Sequence, residues 1–497
     1  MKLSTIFRRP SLQALFKPTS AHAVEALDSL EITGVVEDSR LAKPGTLFVA
    51  SAGEHVDGHA FIPDAVARGA VAVIGTQPVA TVAVSVPYFQ VADARKAAAW
   101  AAHVFHGEPS RDLQVIGVTG TNGKTSTVHL IHHILQAAGH RVAQFGTLGY
   151  VFEDGEVAAA HTTPFGTELA ALFARARDTG HSHVVMEVSS HALAQERVAG
   201  IYFDCAAFTN LTQDHLDFHG DMESYCQAKL LLFERLPAET GLGVVNLEDP
   251  TAPRFRSACA GKSLGYGKGG DCRASKVRLD FSGTHFNLMT PWGKTTVSMR
   301  LLGRHNMANA LCAATVCGGL GVALEDIAEG LGALEAVPGR FEAVICGQPF
   351  YVVVDYAHTD DGLKNVLMAA RKLTEGEVIV VFGCGGDRDR GKRPKMGAVA
   401  AELADFCVLT SDNPRTEDPH RILLDIEVGM QRMGKSKHDD YLVIEDREEA
   451  IHTAIRRAKS GDLVLIAGKG HEDYQIRGTE RLHFDDRETA RKLLGER

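Results

Sequence analysis

The sequence predicts an α/β protein of about three domains. At 497 residues the chain is longer than one hydrophobic core usually serves. Apolar runs of strand length alternate with amphipathic helical stretches, and this alternation predicts mostly parallel sheets covered by helices. One of these runs leads through a glycine-rich turn, Gly117–Ser126, into a helix.

The first predicted domain covers residues 1–105 and is a small α/β unit. Strands are predicted at Thr46–Ala50 and Ala70–Ile74, with a helix near Ile62–Arg68. At the start of the chain, Arg8–Pro10 interrupts any apolar segment of signal-peptide length. We therefore expect an untargeted and partly frayed N-terminus.

The second predicted domain covers residues 106–336. Its first strand, Val115–Val118, turns through glycines into an amphipathic helix over Lys124–Ala138 that Gly139 can cap. Further strand-like runs follow at Val184–Val188, Cys205–Leu211 and Gly243–Leu247. Period-two alternation between Phe281 and Leu302 predicts an antiparallel patch inside or beside this domain.

The third predicted domain covers residues 337–497 and begins with a linker at Val337–Gly339. Its five strand candidates are Tyr351–Tyr356, Val378–Phe382, Phe406–Thr410, Tyr441–Ile444 and Leu463–Ala467. Helical stretches separate the strands, and the one over Arg447–Ala458 has a continuous apolar face. This pattern predicts a Rossmann-like, doubly wound domain.

Composition and charge exclude several classes of protein. Hydrophobic residues make up 45% and charged residues 23% of the chain, which is close to the average for soluble proteins. No run approaches the roughly 20 apolar residues of a membrane span, so membrane insertion is not expected. The net charge of −10 argues against nucleic acid as the main partner.

The nine cysteines form no C-x-x-C pair. This distribution indicates reduced thiols in a cytoplasm rather than a disulfide scaffold or a zinc site. Most of the cysteines are expected to be small buried hydrophobic residues.

The segment Gly117-Val-Thr-Gly-Thr-Asn-Gly-Lys-Thr-Ser126 lies between a buried strand and a helix, where backbone N–H groups can hold phosphate oxygens. Its glycines allow close approach, Lys124 can reach the β- and γ-phosphates of ATP, and Thr125 can bind Mg²⁺. The segment departs from the strict phosphate-loop pattern because Val118 stands where the first glycine belongs, and Gly120 supplies a nearby one. The predicted ATP-binding residues here are Gly120, Thr121, Asn122, Gly123, Lys124, Thr125 and Ser126.

A phosphate loop alone leaves several functions open. The same segment could be a glycine-rich helix start without a ligand. If it binds a nucleotide, the protein could be a kinase, a GTPase switch or a motor. The remaining motifs must decide between these classes.

Short motifs with polar residues and glycines follow one another along nearly the whole chain. The first are Gly120-Thr-Asn-Gly-Lys-Thr125, Glu187-Val-Ser-Ser-His191 and Thr209-Asn-Leu-Thr-Gln-Asp-His-Leu-Asp217. The next, in order, are Gly303-Arg-His-Asn306, Gly339-Arg340, Asp355-Tyr-Ala-His358, Gly385-Gly-Asp-Arg-Asp389 and Gly468-Lys-Gly-His-Glu472. This series resembles the motifs of the Mur ligase family of peptidoglycan synthesis. The resemblance implies a UDP-sugar-binding first domain, a central ATPase domain and a third domain that binds the incoming amino acid.

The family's reaction implies roles for four residues. A carboxylate needs a better leaving group before an amine can attack it, so an acyl phosphate made with ATP is expected, with Lys124 and Mg²⁺ neutralising the transferring phosphoryl group. The resemblance makes Glu187 and His215 Mg²⁺ ligands beside Thr125, and places Lys229 where the family has a carbamylated lysine (N6-carboxylysine). A carbamate would turn this cation into an anion able to help hold metal. A capping glutamate, a surface histidine and an ordinary helix-surface lysine are the alternatives.

The resemblance also implies the binding residues for the two nucleotides. Those for the UDP-sugar peptide are Ser39, Glu54, His55, Val56, Thr162, Thr163, Ser189, Gln195 and Arg197. His305 and Asn306 resemble residues on the adenine side of ATP. Arg340 and Asp355 resemble hinge groups that reach ATP when the third domain closes and excludes water.

Within the family, Asp412-Asn-Pro-Arg415 is similar to the signature of members that add meso-diaminopimelate to UDP-N-acetylmuramoyl-L-alanyl-D-glutamate. The guanidinium of Arg415 can hold the distal carboxylate of diaminopimelate, which lysine lacks. The remaining implied contacts to this amino acid are Arg388, Asp412, Asn413, Pro414, Gly468 and Glu472. A turn arginine in a solvated loop is the alternative for Arg415.

Three other functions stay open at this point. The chain could be another ligase of the family. The candidates are a lysine-adding ligase, a ligase that adds D-alanyl-D-alanine, and a folylpolyglutamate synthetase. It could be a nucleotide switch without ligation, or a degenerate ligase kept as a scaffold, since Asp360 stands where the family generally has proline. The favoured hypothesis is a monomeric cytoplasmic ligase whose partners are ATP, UDP-N-acetylmuramoyl-dipeptide and meso-diaminopimelate.

Overall fold

The computed structural model describes residues 1–16, 27–53, 56–82, 84–280 and 282–495. These residues divide into two compact units. The first unit comprises Met1–Lys124 and Ala138–Gly265, and the second comprises Thr125–Ala137 and Tyr266–Arg497. The α/β class is confirmed, whereas the three domain ranges stay a prediction because compactness alone separates two units.

The first unit begins with a four-stranded parallel sheet in the order β1-β2-β3-β4. Its elements are α1 (Leu3–Phe7), α2 (Pro10–Gln13), β1 (Gly34–Val36), β2 (Thr46–Ala50), α3 (Ile62–Ala67), β3 (Ala72–Gly75), β4 (Tyr88–Gln90) and α4 (Ala94–Phe105). The predicted strands and helix of this segment are therefore confirmed to within two residues.

The prediction of a frayed N-terminus is wrong for residues 1–16. Leu3, Ile6, Phe7 and Leu12 are buried in the apolar core of the first sheet. Two short helices carry these side chains. Helices of this length are unstable alone, so burial of the apolar side chains stabilises them.

The middle of the chain forms an eight-stranded sheet in the order β12-β11-β10-β5-β9-β6-β7-β8. Its strands are β5 (Gln114–Thr119), β6 (Val142–Gly146), β7 (Gly149–Phe152), β8 (Gly155–Val157), β9 (His183–Glu187), β10 (Cys205–Phe208), β11 (Leu242–Asn246) and β12 (Lys262–Tyr266). The helices of this segment are α5 (Lys124–Ala137), α6 (Gly166–Asp178), α7 (Ser190–Ala194), α8 (Leu216–His219), α9 (Met222–Glu234) and α10 (Ala252–Ala258). Strands β11, β10, β5, β9 and β6 are parallel, and β7 and β8 add an antiparallel edge.

The second unit contains a three-stranded antiparallel sheet, which confirms the predicted antiparallel patch. Its elements are β13 (Arg273–Asp280), β14 (Gly283–Thr290) and β15 (Gly293–Met299), followed by α11 (Arg304–Gly319) and α12 (Leu324–Ala333). The sheet starts earlier than predicted, and Phe281, where the prediction began, lies outside the described residues.

The C-terminal part of the second unit is the doubly wound sheet that the sequence predicts, in the order β16-β17-β21-β18-β19-β20, and Thr125–Ala137 of helix α5 also belongs to this unit. Its strands are β16 (Glu342–Ala343), β17 (Tyr351–Asp355), β18 (Val378–Phe382), β19 (Phe406–Leu409), β20 (Tyr441–Val443) and β21 (Leu463–Ala467), with a separate hairpin of β22 (Tyr474–Arg477) and β23 (Glu480–His483). Its helices are α13 (Asp360–Arg371), α14 (Lys392–Leu403), α15 (Pro419–Arg432), α16 (Arg447–Arg457) and α17 (Asp486–Gly495). Five strands are parallel and β16 is antiparallel.

Strand β18 shows why the sequence signal in this sheet is so clear. Val378, Val380 and Phe382 pack into the core on one face of the sheet, and Ile379 and Val381 pack into the core on the other. Since helices cover both faces, every residue of the strand must be apolar, which is typical of parallel sheets.

The predictions on membrane-spanning segments and on the cysteines can be compared with the described part of the chain. No helix there is both long enough and apolar enough to cross a bilayer. All nine cysteines are free thiols, and all except Cys346 are buried. The prediction that most cysteines are small core residues is therefore confirmed.

His103 makes the first unit sensitive to acid. Its ring is fully buried beside Phe173, and neither ring nitrogen has a hydrogen-bond partner among the described residues. Burial lowers the pKa of His103 from 6.5 to about 3. Below about pH 6.5 the unfolded chain thus binds a proton that the folded chain does not.

We expect the free energy of unfolding to lose about 1.4 kcal/mol per pH unit through His103 as the pH falls from 6.5 towards 3. Replacing it with methionine (H103M) removes this contribution, so urea unfolding should depend less on pH in the variant. The same substitution at exposed His420 (H420M) is the control. An unchanged pH dependence in H103M would contradict the assignment.

Candidate active site

The glycine-rich loop between β5 and α5 has the backbone that a phosphate loop needs. Gly120 and Gly123 have φ values of +147° and +85°, a region that favours glycine. A Cβ atom on Gly120 would also overlap Thr209 Oγ1. Both glycines are therefore required by the conformation of the loop.

The loop is held by the chain that leaves the neighbouring strand β10. Thr121 N donates to Asn210 O (2.8 Å), and Asn122 N donates to Asn210 Oδ1 (3.0 Å). Thr209 Oγ1 donates to Asn122 O (2.6 Å), and Thr212 N donates to Thr121 Oγ1 (3.0 Å). Residues 209–212 thus brace the loop on one side, although the sequence assigned them no role beyond the motif.

Two lysine side chains converge on one carbonyl oxygen of this loop. Lys124 Nζ lies 2.8 Å from Gly120 O and 2.8 Å from Thr121 O, and Lys229 Nζ lies 2.9 Å from the same Gly120 O. Burial and, secondarily, the nearby Lys124 charge lower the pKa of Lys229 well below its usual value. The positive charge of Lys124 at this loop favours an anion such as a phosphate.

Lys229 is not an ordinary helix-surface lysine. It is only 1% exposed, and α9 places its ammonium 4.5 Å from the centre of the Tyr225 ring. The Tyr225 hydroxyl in turn lies 3.1 Å from Thr121 Oγ1. The helix is positioned by Asp221, whose carboxylate accepts a hydrogen bond from Ser224 N (2.7 Å).

His215 lies close enough to both lysines to feel their charge. Burial lowers its pKa, Asp214 opposes this shift, and Lys124 and Lys229 add to it. His215 has a positive φ of 54° at the start of α8, and its ring centre lies 4.7 Å from that of His191. A neutral imidazole in this position is able to bind a metal ion.

Glu187 is the last residue of β9 and is only 1% exposed, so it is not a solvated capping residue. Its carboxylate accepts hydrogen bonds from Thr147 N (2.8 Å) and Thr147 Oγ1 (3.3 Å). Thr147 Oγ1 also lies 3.1 Å from Thr162 Oγ1, which brings one predicted substrate residue into the same network. The sequence carried no signal for Thr147.

The other predicted substrate residues of the central segment form one hydrogen-bonded group. Thr163 Oγ1 donates to Glu187 O (2.9 Å) and accepts from Ser189 N (3.1 Å). Arg197 donates to Thr163 O (2.9 Å) and Gln195 Oε1 (2.8 Å). The structure therefore brings Glu187, Thr163, Ser189, Gln195 and Arg197 together, as the resemblance implies.

The predicted Mg²⁺ ligands of the first unit depend on a modified Lys229. Among the described residues, no three His, Cys, Asp or Glu side chains form a group that could hold a metal ion. Glu187 and His215 are two such side chains, and a carbamate on Lys229 would supply a third anionic or neutral ligand. An unmodified Lys229 is a donor to Gly120 O and could not serve as a ligand.

Two of the residues predicted to bind the uridine end, Ser39 and Val56, lie in the segment that forms the first sheet. Ser39 is buried in a short 3₁₀ turn that Asp38 caps by accepting from Arg40 N (2.9 Å). Val56 is exposed, and Glu54 and His55 lie outside the described residues.

Four of the predicted ATP-binding residues lie far from the phosphate loop in sequence and belong to the second unit. The ring centres of His305 and Phe341 lie 4.9 Å apart, and Phe341 N donates to Asp355 Oδ2 (2.7 Å). Asn306 is buried and donates to Leu302 O (3.0 Å). Burial raises the pKa of the Asp355 carboxyl group, and the nearby positive charge of Arg340 opposes this rise. His305, Arg340 and Asp355 thus lie around the turn 339–341.

Asp360, the departure from the family pattern, opens helix α13. The preceding Thr359 caps the helix by accepting from Gly362 N (3.0 Å). Proline and acidic residues both suit the first turn of a helix, so the substitution preserves the helix start.

The residues predicted to bind the incoming amino acid cluster at the carboxyl ends of β19 and β21. Asn413 Nδ2 donates to Glu472 Oε2 (2.9 Å), and Ile476 N donates to Asn413 Oδ1 (2.9 Å). Gly468 has a φ of +118°, and a Cβ atom there would lie 2.7 Å from Asp412 Oδ2. Asp412, Asn413, Gly468 and Glu472 are therefore brought together.

Arg415 has a strained backbone and a constrained side chain. Its φ is +51°, and its backbone is tied to strand β22 through Ile476 O and Gly478 N. Arg415 Nη1 donates to Gly386 O (2.9 Å), and Arg388 is exposed on the same 385–388 loop. Pro414 is buried between these contacts. Arg415 is thus anchored by tertiary contacts, unlike a turn arginine in a solvated loop.

Two buried arginines that the sequence did not single out support this site. Arg447 pairs with Asp486 through two 2.7 Å hydrogen bonds and donates to Ala467 O (3.0 Å), at the end of β21. Arg393 pairs with Glu417 (2.8 Å) and donates to Gly385 O (3.3 Å). No local sequence pattern reveals these pairs, because their members are distant in the chain.

Three protein-family models match this chain, and their ranges include the three sheets that contain parallel strands. Residues 31–106 match the domain described as Mur ligase family, catalytic domain. Residues 118–317 match the Mur ligase middle domain, and residues 339–470 match the Mur ligase, glutamate ligase domain.

Individual proteins are similar over nearly the whole chain. A UDP-N-acetylmuramoyl-L-alanyl-D-glutamate--2,6-diaminopimelate ligase of Syntrophomonas wolfei is 45% identical, covering 93% of this chain and 95% of the relative. The ligase of the same name from Synechococcus elongatus is 46% identical, covering 98% of this chain and 99% of the relative. A solved structure of a ligase with this name has a TM-score of 0.70 at 33% identity, over 95% of this chain and 96% of its own. The chain belongs to the Mur ligase family.

Proposed function

We propose that this protein is an ATP-dependent ligase that joins meso-diaminopimelate to the D-glutamate γ-carboxylate of UDP-N-acetylmuramoyl-L-alanyl-D-glutamate, a step of peptidoglycan precursor synthesis. The observation that carries the proposal is 41–46% identity, over at least 93% of the chain, to several relatives that bear the name of this ligase. The charge and contacts of the two clusters described above support it.

The first step is phosphoryl transfer. A γ-carboxylate oxygen attacks the γ-phosphorus of ATP, and the bond from that phosphorus to the β,γ-bridging oxygen breaks. The products are an acyl phosphate and ADP. Lys124 lies over the carbonyls of Gly120 and Thr121, where its charge can stabilise the transferring phosphoryl group. Thr163, Ser189, Gln195 and Arg197 are proposed to hold the UDP-linked peptide near this loop.

We assign Thr125, Glu187, His215 and carbamylated Lys229 to Mg²⁺. Bound there, the ion would neutralise phosphate charge during the transfer. Carbamylation requires the free amine, and the buried position beside Lys124 favours that form of Lys229. Loss of its positive charge would also relieve the repulsion between the two lysines.

The second step is attack of the diaminopimelate amine on the acyl carbon. The bond between that carbon and the phosphate oxygen breaks, inorganic phosphate leaves, and the nitrogen loses a proton. Arg415 is proposed to hold the distal carboxylate of the amino acid, with Arg388 beside it. Asp412, Asn413 and Glu472 supply acceptors for its ammonium groups.

Two finer assignments complete the proposal. The free thiols of all nine cysteines suit a reducing compartment, so we place the reaction in the cytoplasm. The resemblance to the family implies a monomer.

The first test measures phosphate release from ATP with UDP-N-acetylmuramoyl-L-alanyl-D-glutamate and either meso-diaminopimelate or L-lysine. We expect release with diaminopimelate and a product that gains its mass. Preference for lysine would support the ligase class but contradict the assigned specificity for diaminopimelate. No release with either amine would contradict the proposed function.

Replacing Arg415 with methionine (R415M) tests how diaminopimelate is selected. The variant loses a charge-assisted contact worth about 3 kcal/mol, so kcat/KM for diaminopimelate should fall about 100-fold while that for lysine changes little. R421M, at an exposed arginine on α15, is the control. An equal fall in kcat/KM for both amines would show that Arg415 does not bind the distal carboxylate.

Replacing Gly120 with alanine (G120A) tests the nucleotide loop. The new Cβ would overlap Thr209 Oγ1 at a positive φ, so the affinity for ATP should fall about 100-fold, measured by calorimetry. G139A is a matched control, because Gly139 also has a positive φ but open surroundings. It should cost about 1 kcal/mol of stability and leave ATP affinity unchanged.

Lys229 carbamylation predicts a dependence on bicarbonate. Enzyme freed of carbon dioxide should lose activity and regain it when bicarbonate is added. K229R keeps the cation but cannot form the carbamate, so its kcat should fall about 100-fold with no response to bicarbonate. Normal activity in K229R would rule out the modification as part of the mechanism.

A further inference from the structure

The amino-acid cluster of the second unit contains a buried cation that the proposed mechanism does not use. Lys469 lies between Gly468 and Gly470 in the segment that follows β21, and it is 0% exposed. Its Nζ donates to Asn413 Oδ1 (3.1 Å) and Glu472 Oε2 (3.4 Å) and lies 3.9 Å from Asp412 Oδ1. Every one of these partners is a residue assigned to the incoming amino acid.

Burying an ammonium group is costly unless its charge is balanced and its protons are bonded. Among the residues that the structure describes, Lys469 meets both conditions through the three binding residues and the Tyr474 ring, whose centre lies 5.5 Å from Nζ. In return, the ammonium offsets one of the two carboxylates of Asp412 and Glu472. Asp412, Glu472 and Lys469 together have a formal charge of −1, and without Lys469 it would be −2. Arg415 and Arg388, which are assigned to the same site, add positive charge in both cases.

The contacts also orient the Glu472 carboxylate. Oε2 accepts from both Asn413 Nδ2 (2.9 Å) and Lys469 Nζ (3.4 Å). Within the described part of the chain, Oε1 has no such partner. One oxygen is thus fixed by the protein, and the other is available to accept a hydrogen bond from a cationic ligand.

We propose that Lys469 is a positioning and specificity-determining residue of the amino-acid site. It fixes Asn413 and Glu472 so that Glu472 can accept from an ammonium group, and its positive charge limits the attraction of the site for an amine with a net positive charge. This inference rests on the proposed function. Lys469 acts through Glu472 and does not take part in the reaction itself.

The charge argument distinguishes two amines. Meso-diaminopimelate has two ammonium and two carboxylate groups and is neutral overall, whereas lysine carries a net charge of +1. A site made more negative by the loss of Lys469 attracts lysine more and diaminopimelate less. A residue that merely supports the fold would not change this ratio.

The test replaces Lys469 with methionine (K469M) in the full-length chain. We expect KM for diaminopimelate to rise about 30-fold, KM for ATP and the UDP-linked peptide to change little, and the preference for diaminopimelate over lysine to fall about tenfold. K437M is the matched control, because Lys437 pairs with the buried Glu427 (3.2 Å) elsewhere in the same unit. An unchanged KM for diaminopimelate in K469M would overturn the proposal.

The first half of the reaction separates this proposal from the proposed function. Positional isotope exchange in ATP, measured with the UDP-linked peptide but without an amine, reports acyl phosphate formation. K469M should show the same exchange as the parent protein, and loss of exchange would mean that Lys469 has a general structural role. If the parent protein itself neither exchanges nor ligates, it is the proposed function that fails.

A double variant tests whether Lys469 acts through Glu472. In E472Q the side chain is neutral and needs no counter-cation, so K469M should raise the KM for diaminopimelate much less in E472Q than in the parent protein. This comparison also serves if K469M does not fold, because the double variant buries no unpaired Glu472 carboxylate. Additive losses in the double variant would overturn the proposal.

Discussion

Both clusters depend on one constraint, which is that parallel strands end at the same edge of their sheet. In the first unit β10, β5 and β9 are neighbours, so residues 209–212, the phosphate loop and Glu187 leave the sheet side by side. In the second unit β21, β18 and β19 deliver Gly468, the 385–388 loop and Asp412–Arg415 in the same way. Hydrogen bonds between adjacent loops then hold each cluster in place.

Buried lysines distinguish the two clusters. In the first unit, Lys229 and Lys124 share the carbonyl of Gly120, and burial together with the Lys124 charge lowers the pKa of Lys229. In the second unit, the Lys469 ammonium is surrounded by carboxylate and amide oxygens that balance its charge. The first buried lysine therefore lies beside another cation, whereas the second lies among acceptors.

Local patterns were sufficient for much of this arrangement. The phosphate loop and the strands of the doubly wound sheet were predictable, because period, glycine spacing and side-chain type reflect local requirements. The motif around Asn413 was identified only through its resemblance to the family. Thr147 and the Arg447–Asp486 pair were not, because each acts through contacts to distant segments. The start of the chain was predicted to fray, and burial of Leu3 and Ile6 against the first sheet gave the opposite result.

The sequence by itself determined the α/β class, the phosphate loop and the order of the family's motifs, since these depend on residue type and spacing along the chain. Only the tertiary structure decided that Lys229 is buried beside Lys124 and that Arg415 is anchored to the Gly386 carbonyl. It alone placed the Lys469 ammonium among Asp412, Asn413 and Glu472. The reason is physical: burial and charge balance depend on which distant segments pack together, and local spacing does not specify this.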